Sequence, residues 1–346
     1  MPKIDVICPV YREEEVIELF HRSLAAVLDG LSHRYAFRIL YVADPSPDGT
    51  EAALSAIAQQ DARVEVLVLS RRFGHQIALV AGLDHSRGDA AIMLDSDLQH
   101  PPELIPELIE HWQAGAEIVQ AVRRDGGETA WLKRMTSRWF YETFLRLGAV
   151  DLRSGAADYR LLSARVAAVF REGLREHNPF LRGLVGWVGY RIVYVPFTPQ
   201  RRAFGRSKYR PTTLLNFALN GLCSFSKLPL RFCIGTGFLL AGLSILSGLL
   251  QVLAYVFSDY PVPGWASLFS TVSLIGGVQL FFLGVLGEYI GLIVDEVKDR
   301  PRYLVDKRFG LGHAANVHPP LGAVIPLTAR EDELDESRPQ TAEVGR

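Results

Sequence analysis

The chain has 346 residues, a length that fits about two to three domains. Its net charge is −1, so no global field marks it for nucleic acid, and a nucleic-acid partner is excluded on that ground. Hydrophobic residues make up 49% and charged residues 22%, yet mean hydropathy is positive, because the apolar residues are concentrated in the C-terminal third.

Residues 1–10 lack an apolar signal-peptide core with a cleavage site and read instead as a strand. From there to about residue 120, short apolar strands alternate with longer helical patterns. The strands fall at residues 4–9, 37–42, 64–69, 90–94 and 117–121, and the helices near 13–28, 50–60, 76–86 and 102–112. This alternation predicts an α/β domain on a parallel, doubly wound sheet, whose ligands bind beyond the carboxyl ends of the strands. Three polar strand ends meet that edge: PVYRE from Pro9, DPSPDGT from Asp44 and DSDLQ from Asp95. Residues 122–130 are charged and Gly-rich and predict a loop, and a basic helical segment follows at 131–147. Residues 211–230 mix apolar and polar positions and predict an amphipathic juxtamembrane segment.

Residues 232–257 contain no Asp, Glu, Lys, Arg or His. Residues 267–287 form a second uncharged run that continues past Glu288 to 294. As a helix, each crosses a hydrocarbon core of ~30 Å. Lys227 and Arg231 precede the first run, while Lys298, Arg300, Arg302, Lys307 and Arg308 follow the second; residues 258–266 between them have no basic residue. The positive-inside rule therefore places both flanks in the cytoplasm, with Tyr255, Tyr260 and Trp265 at interfacial positions. The expected division is a cytoplasmic α/β domain at 1–210, a juxtamembrane segment at 211–231, a transmembrane hairpin at 232–296 (spans about 232–257 and 267–294) and a cytoplasmic tail at 297–346, largely disordered from about 311. His313 and His318 in that tail read as solvated. The three cysteines, Cys8, Cys223 and Cys233, have no metal spacing and fit a reducing compartment as structural residues.

The segment richest in chemistry is AAIMLDSDLQ at residues 90–99, where an apolar strand ends in two carboxylates one residue apart, Asp95 and Asp97. Strand alternation puts positions i and i+2 on one side, and two carboxylates there repel unless a cation lies between them. All-oxygen ligation suits Mg²⁺ or Mn²⁺ rather than zinc, and such ions bind with phosphates as co-ligands. A solvated Asp-rich turn has the same composition; the two other polar strand ends on the same edge favour a nucleotide.

With these segments in order, the chain resembles the family 2 glycosyltransferases of the GT-A fold, and within them the membrane-bound polyisoprenyl-phosphate (dolichyl-phosphate mannose synthase-like) group. The matching stretches are CPVYREEE, SRRFGHQIALVAGLDHSRGDA, MLDSDLQHPPELIP, ADYRLLS, FLRGLVGWVGY, RAFGRSKY, SFSKLPLR and GEYIGLIVDEVKDRP, spanning residues 4 to 303. The resemblance implies that Pro9, Tyr11, Glu13 and Asp44 face the nucleotide, and that Asp95, Asp97 and Gln99 surround a divalent metal, Mg²⁺ or Mn²⁺, on the sugar diphosphate. It implies further that Asp158 lies near the reacting centre, that Arg202, Ser207 and Lys208 form a basic loop over phosphates, and that Arg123 and Arg138 meet a lipid phosphate. In its second nucleotide motif the family often has two adjacent acids followed by Gly-Ser. Here the stretch is Ala43-Asp44-Pro45-Ser46, which leaves the base, uracil or guanine, open.

The implied reaction moves one sugar from a UDP- or GDP-linked donor to a polyprenyl phosphate, such as undecaprenyl or dolichyl phosphate, with inversion, for envelope modification or protein glycosylation. A phosphate monoester has its second pKa at about 6, so at neutral pH the nucleophile is already mostly ionised and needs no strong base. Asp158 then either orients a substrate or acts as base, and pairing with Arg160 is its structural alternative. A processive polysaccharide synthase is disfavoured because QRRAF at 200–204 lacks the expected Gln-x-x-Arg-Trp motif. A catalytically silent membrane scaffold is disfavoured by the intact DSD. Two spans bury little surface alone, so a homo-oligomer is expected.

Overall fold

The computed structural model describes residues 1–124, 155–199, 228–257 and 264–310. The predicted segment at 131–147 and nearly all of 211–230 lie outside these residues, as do Arg138, Arg202, Ser207, Lys208, Cys223 and everything from 311 onward.

Strands β1 (Lys3–Val10), β2 (Ala36–Ala43), β3 (Val64–Leu69), β4 (Ala90–Met93), β5 (Ile118–Arg123), β6 (Ala156–Ser163), β7 (Ile192–Phe197) and β8 (Val305–Gly310) build one mixed sheet, in the order β7-β5-β6-β4-β1-β2-β3-β8. β1 is parallel to β2 and β4, β2 is parallel to β3, and β5 is parallel to β7. β6 runs antiparallel to both β4 and β5, and β8 runs antiparallel to β3. The central strands are rich in buried apolar residues, AAIM in β4 being buried at every position, because helices cover both faces of the sheet.

Helix α1 (Ile17–Leu31) shows how the periodicity works: Ile17, Phe20, Leu24 and Leu28 recur every three or four residues and are all buried. It starts four residues later than the sequence pattern predicts. The amides of Arg12 and Glu13 are taken by Ser46 Oγ (3.0 Å) and Thr50 Oγ1 (3.1 Å), which holds the chain after β1 in a loop. Helices α2 (Thr50–Gln60) and α4 (Ile105–Gln113) join α1 on one face. Helices α3 (His75–His85), α5 (Ala164–Ala168) and α6 (Leu181–Trp187) cover the other.

Two long helices complete the described chain, α7 (Leu228–Phe257) and α8 (Trp265–Val297). Windows Cys233–Leu250 and Ser270–Val297 are long and apolar enough to cross a membrane, and neither is buried inside the protein. Pro229 falls in the first turn of α7, where its missing N–H costs no helical hydrogen bond. After α8 the chain does not leave as a separate tail. Residues 305–310 return to the sheet as β8, with Phe309 buried in the core and Gly310, at φ +84°, pressed against the Val64 carbonyl. A six-residue, charge-bearing edge strand has too little apolar alternation to be seen in the sequence.

Candidate active site

The winding reverses between β1 and β4, so a crevice opens beyond their carboxyl ends. Ser96 Oγ donates to the Pro9 carbonyl (2.9 Å), tying the two strand ends together. β4 ends at Met93, one residue before its predicted end, so Asp95 and Asp97 sit in a turn and strand alternation is not what positions them. The turn closes on itself: the Asp95 amide donates to His100 Nδ1 (3.1 Å) and the Gln99 amide to Asp97 Oδ1 (3.1 Å). Leu98 is held in the left-handed region at φ 63°, its side chain packed on the core, and Arg12 after β1 is left-handed at φ 57°. Such backbone persists in non-glycine residues only where surroundings enforce it, and it clusters at functional sites.

His100 accepts that amide through Nδ1, so its proton is on Nε2 and the ring is neutral. Burial also lowers its pKa, against the pull of nearby carboxylates. Its 3.5 Å approach to Asp95 Oδ2 is therefore not an ion pair. The ring stacks on Tyr159 (5.3 Å between centroids) and meets Phe197 edge-on. His75, at the start of α3, is the cation here: Nε2 lies 3.4 Å from Asp95 Oδ1 and 3.5 Å from Asp158 Oδ2. Burial works against its protonation, but the two carboxylates push its pKa up to about 9.

Asp158 and Arg160 alternate with Tyr159 and Leu161 along β6, so the first two share a face. The carboxylate is 3% exposed and receives Arg160 (2.7 Å), Arg182 (2.8 and 3.1 Å) and Gln76 (3.2 Å). Burial opposes its ionisation, but Arg182, His75 and Arg160 together hold it well below the ordinary carboxylate range. Asp44, at the end of β2, gives Oδ1 to the Phe73 amide (3.0 Å) and Oδ2 to the Gly74 amide (2.9 Å). It thereby shapes the loop that brings Arg72 over the Tyr11 ring (4.1 Å). Arg123, at the end of β5, donates to Gln99 Oε1 (3.2 Å).

Among the described residues, no three His, Cys, Asp or Glu side chains converge into a closed metal cage. The residues nonetheless fit a divalent ion that completes its shell with phosphate and water, as Mg²⁺ and Mn²⁺ do. Asp95 Oδ1 is buried and makes no hydrogen bond, its charged neighbour being His75 at 3.4 Å, and it lies beside Asp97 and Gln99. His75, Gln76, His100 and Arg182 complete the site and were not singled out from the sequence. His75, Gln76 and Arg182 lie inside the stretches SRRFGHQ and FLRG, but a lone His or Arg in a helical pattern has no signal of its own.

Residues 5–170 match glycosyl transferase family 2, and residues 228–293 match the GtrB C-terminal hairpin. The SfII prophage-derived bactoprenol glucosyl transferase of Shigella flexneri is 40% identical over 305 residues, covering 88% of this chain and 98% of its own. The chain belongs to glycosyl transferase family 2. A glycosyltransferase of Bacillus subtilis (strain 168), YkcC, is 38% identical over 306 residues, 88% of this chain and 94% of its own. Among solved structures, glucosyl-3-phosphoglycerate synthase from Mycobacterium tuberculosis is 22% identical over 64% of this chain and 78% of that one, with a TM-score of 0.42. The family 2 segment contains every described site residue except Arg182 and Phe197, and the hairpin segment contains α7 and nearly all of α8.

Proposed function

We propose that this glycosyltransferase moves glucose or a related sugar from a UDP- or GDP-linked donor onto a polyprenyl phosphate at the cytoplasmic face of a membrane, with inversion at the anomeric carbon. The relatives named bactoprenol glucosyl transferases support the acceptor and put UDP-glucose first among donors. The observation that carries the reading is the buried Asp95 oxygen without a hydrogen bond beside Asp97, at the switch point of a sheet whose chain also bears two membrane-length apolar helices.

A divalent ion held by Asp95, Asp97 and Gln99 would neutralise charge on the leaving diphosphate. Arg123 braces Gln99, Asp44 shapes the Arg71–Gly74 loop, and Pro9, Tyr11 and Glu13 flank the nucleotide crevice. Arg138, Arg202, Ser207 and Lys208 supply further phosphate contacts. The acceptor phosphate is already ionised and attacks the anomeric carbon directly, while the hairpin confines the enzyme to the leaflet that contains it, which raises the effective concentration of the pair. The hairpin is inserted with both flanks cytoplasmic, and the chain works as a homo-oligomer in which neighbouring hairpins cover one another.

The test is a donor panel with purified protein in detergent, undecaprenyl phosphate and Mg²⁺ or Mn²⁺, following nucleotide release and glycolipid together. One donor is expected to give glycolipid that EDTA abolishes, and Asp97→Ala is expected to cut turnover about 100-fold or more. Undiminished turnover in EDTA and in the variant overturns the metal assignment. Nucleotide binding without glycolipid from any donor favours a silent scaffold.

A further inference from the structure

We propose that residues 296–304 form a rigid clasp that fixes the apolar hairpin to the two elements bearing the crevice, so that His177, Asp84 and Arg302 are positioning residues for the lipid acceptor. This deepens the polyprenyl-phosphate transferase reading above and rests on it. Only residues 298–304 separate the end of α8 from the start of β8. As a flexible linker, a stretch of that length has an end-to-end distance of ~15 Å and leaves orientation unset. Here it is gripped along its length. His177 holds Glu296 and the Arg300 carbonyl through its amide and both ring nitrogens (2.7 to 3.0 Å). Arg302 donates to the Leu174 carbonyl (3.2 Å) and to both oxygens of Asp84 (3.0 and 3.4 Å). That pair is buried, its side chains 4% and 10% exposed. The Leu304 carbonyl then accepts from the Ser70 amide (2.8 Å), and β8 follows at once.

The anchors belong to elements that also build the crevice. Helix α3 begins with His75, 3.4 Å from Asp95, and Gln76, which donates to Asp158 (3.2 Å). Asp84 lies on the same helix, ~12 Å further along its axis. The stretch with Leu174 and His177 leads into α6, whose Leu181 amide donates to Gln76 Oε1 (3.3 Å). Arg175 in that stretch also donates to Asp84 (3.2 Å), which ties the two anchors to each other. A shift of the α8 end is therefore passed to the crevice instead of being absorbed in a linker. The two substrates feel this differently. The donor arrives from water and meets the crevice wherever it stands. The acceptor phosphate is held at a leaflet surface, and misplacing reacting atoms by ~1 Å costs on the order of 100-fold.

The test is steady-state kinetics on His177→Ala, Arg302→Ala and the double variant, full-length in vesicles of phosphatidylethanolamine and phosphatidylglycerol. Undecaprenyl phosphate in the bilayer is compared with a water-soluble short-chain prenyl phosphate, using the donor found by the panel above. The double variant is expected to lose about 10- to 100-fold in kcat/KM for undecaprenyl phosphate. Its donor KM and its kcat/KM for the short-chain acceptor should stay at the wild-type values, and His177→Gln, which keeps a donor, should lose less than His177→Ala. Undiminished turnover of undecaprenyl phosphate overturns the proposal. So do equal losses on both acceptors, the result of damage to the crevice itself.

Arg302→Ala leaves Asp84 paired with Arg175, so the acid is not stranded; if the double variant does not fold, His177→Ala carries the test alone. Hydrogen exchange on the same proteins reads the clasp without turnover. Residues 174–177 and 298–304 should exchange at least about 10-fold faster in the variants, with protection in β1 and β4 unchanged. Wild-type protection throughout overturns the clasp. A wild type inactive on both acceptors sinks the transferase reading instead, and exchange alone then decides whether the hairpin is rigidly held.

Discussion

Gly82 sits in α3 directly over β1, where a Cβ would run into the Ile7 side chain. The helix is buried on nearly every side, from Ala78 to Leu83, so the neighbours have little room to yield. Gly82→Ala is expected to overpack this contact by about 1–3 kcal/mol, lowering Tm by several degrees in a thermal melt. An unchanged Tm would mean that α3 can slide on the sheet. The same scale explains the two acids whose roles the motifs left broad. Asp44 and Asp158 end in hydrogen bonds to the protein, one to backbone amides and one to arginines. A motif shows that an acid is present; only the fold shows what the acid holds.

At the scale of elements, β8 is the informative addition. Glu65 on β3 is fully buried and lies between Arg38 on β2 and Arg308 on β8. Arg302, just before β8, pairs with Asp84 at the end of α3 (3.0 Å), and Lys307 pairs with Glu51 on α2. Arg302, Lys307 and Arg308, after the second apolar run, therefore act as clamps within the fold. Arg308→Ala is expected to destabilise by about 1–2 kcal/mol, less than the ~3–5 kcal/mol of a stranded buried charge, because Arg38 still holds Glu65. Lys307→Ala, at an exposed pair, should change stability by no more than about 0.5 kcal/mol. Chemical denaturation of the two variants distinguishes them, and equal effects would refute the buried clamp.

At the scale of the whole molecule, α8 has 33 residues and is about 50 Å long, well beyond the ~30 Å of a hydrocarbon core. Its end docks on the catalytic domain through His177. Nδ1 meets Glu296 Oε2 (3.0 Å), Nε2 meets the Arg300 carbonyl (2.7 Å), and the His177 amide donates to Glu296 Oε1 (2.9 Å). Both ring nitrogens face acceptors, so only the imidazolium satisfies both. The Glu296 hydrogen bond leads in raising its pKa, with the Arg300 carbonyl and Asp299 adding to it against burial. A raised folded pKa gives a contribution that is complete below the unfolded value of ~6.5 and lost as pH rises through the folded one. Protection of the His177 amide in hydrogen exchange, corrected for intrinsic rate, should therefore fall from pH 6 to pH 8. His177→Gln should flatten that change, and a flat wild-type profile would show that the contact does not depend on the proton.

The amino-acid sequence by itself determined the alternating α/β domain, the strand-end acids and the two long apolar runs. Each is a local signal: a periodicity of apolar residues, a dipeptide spacing, an uncharged stretch longer than a bilayer. The tertiary structure decided what depends on residues distant in the chain. It placed β6 in the sheet despite the polar Asp158 and Arg160, because those two charges neutralise each other across one face. It brought β8 home from beyond the two long apolar helices and set Arg182 against Asp158, 24 positions away in the chain. Charge pairing and edge-strand pairing are satisfied in space and leave no period in the sequence, which is why the crevice could be located from the chain but its wiring could not.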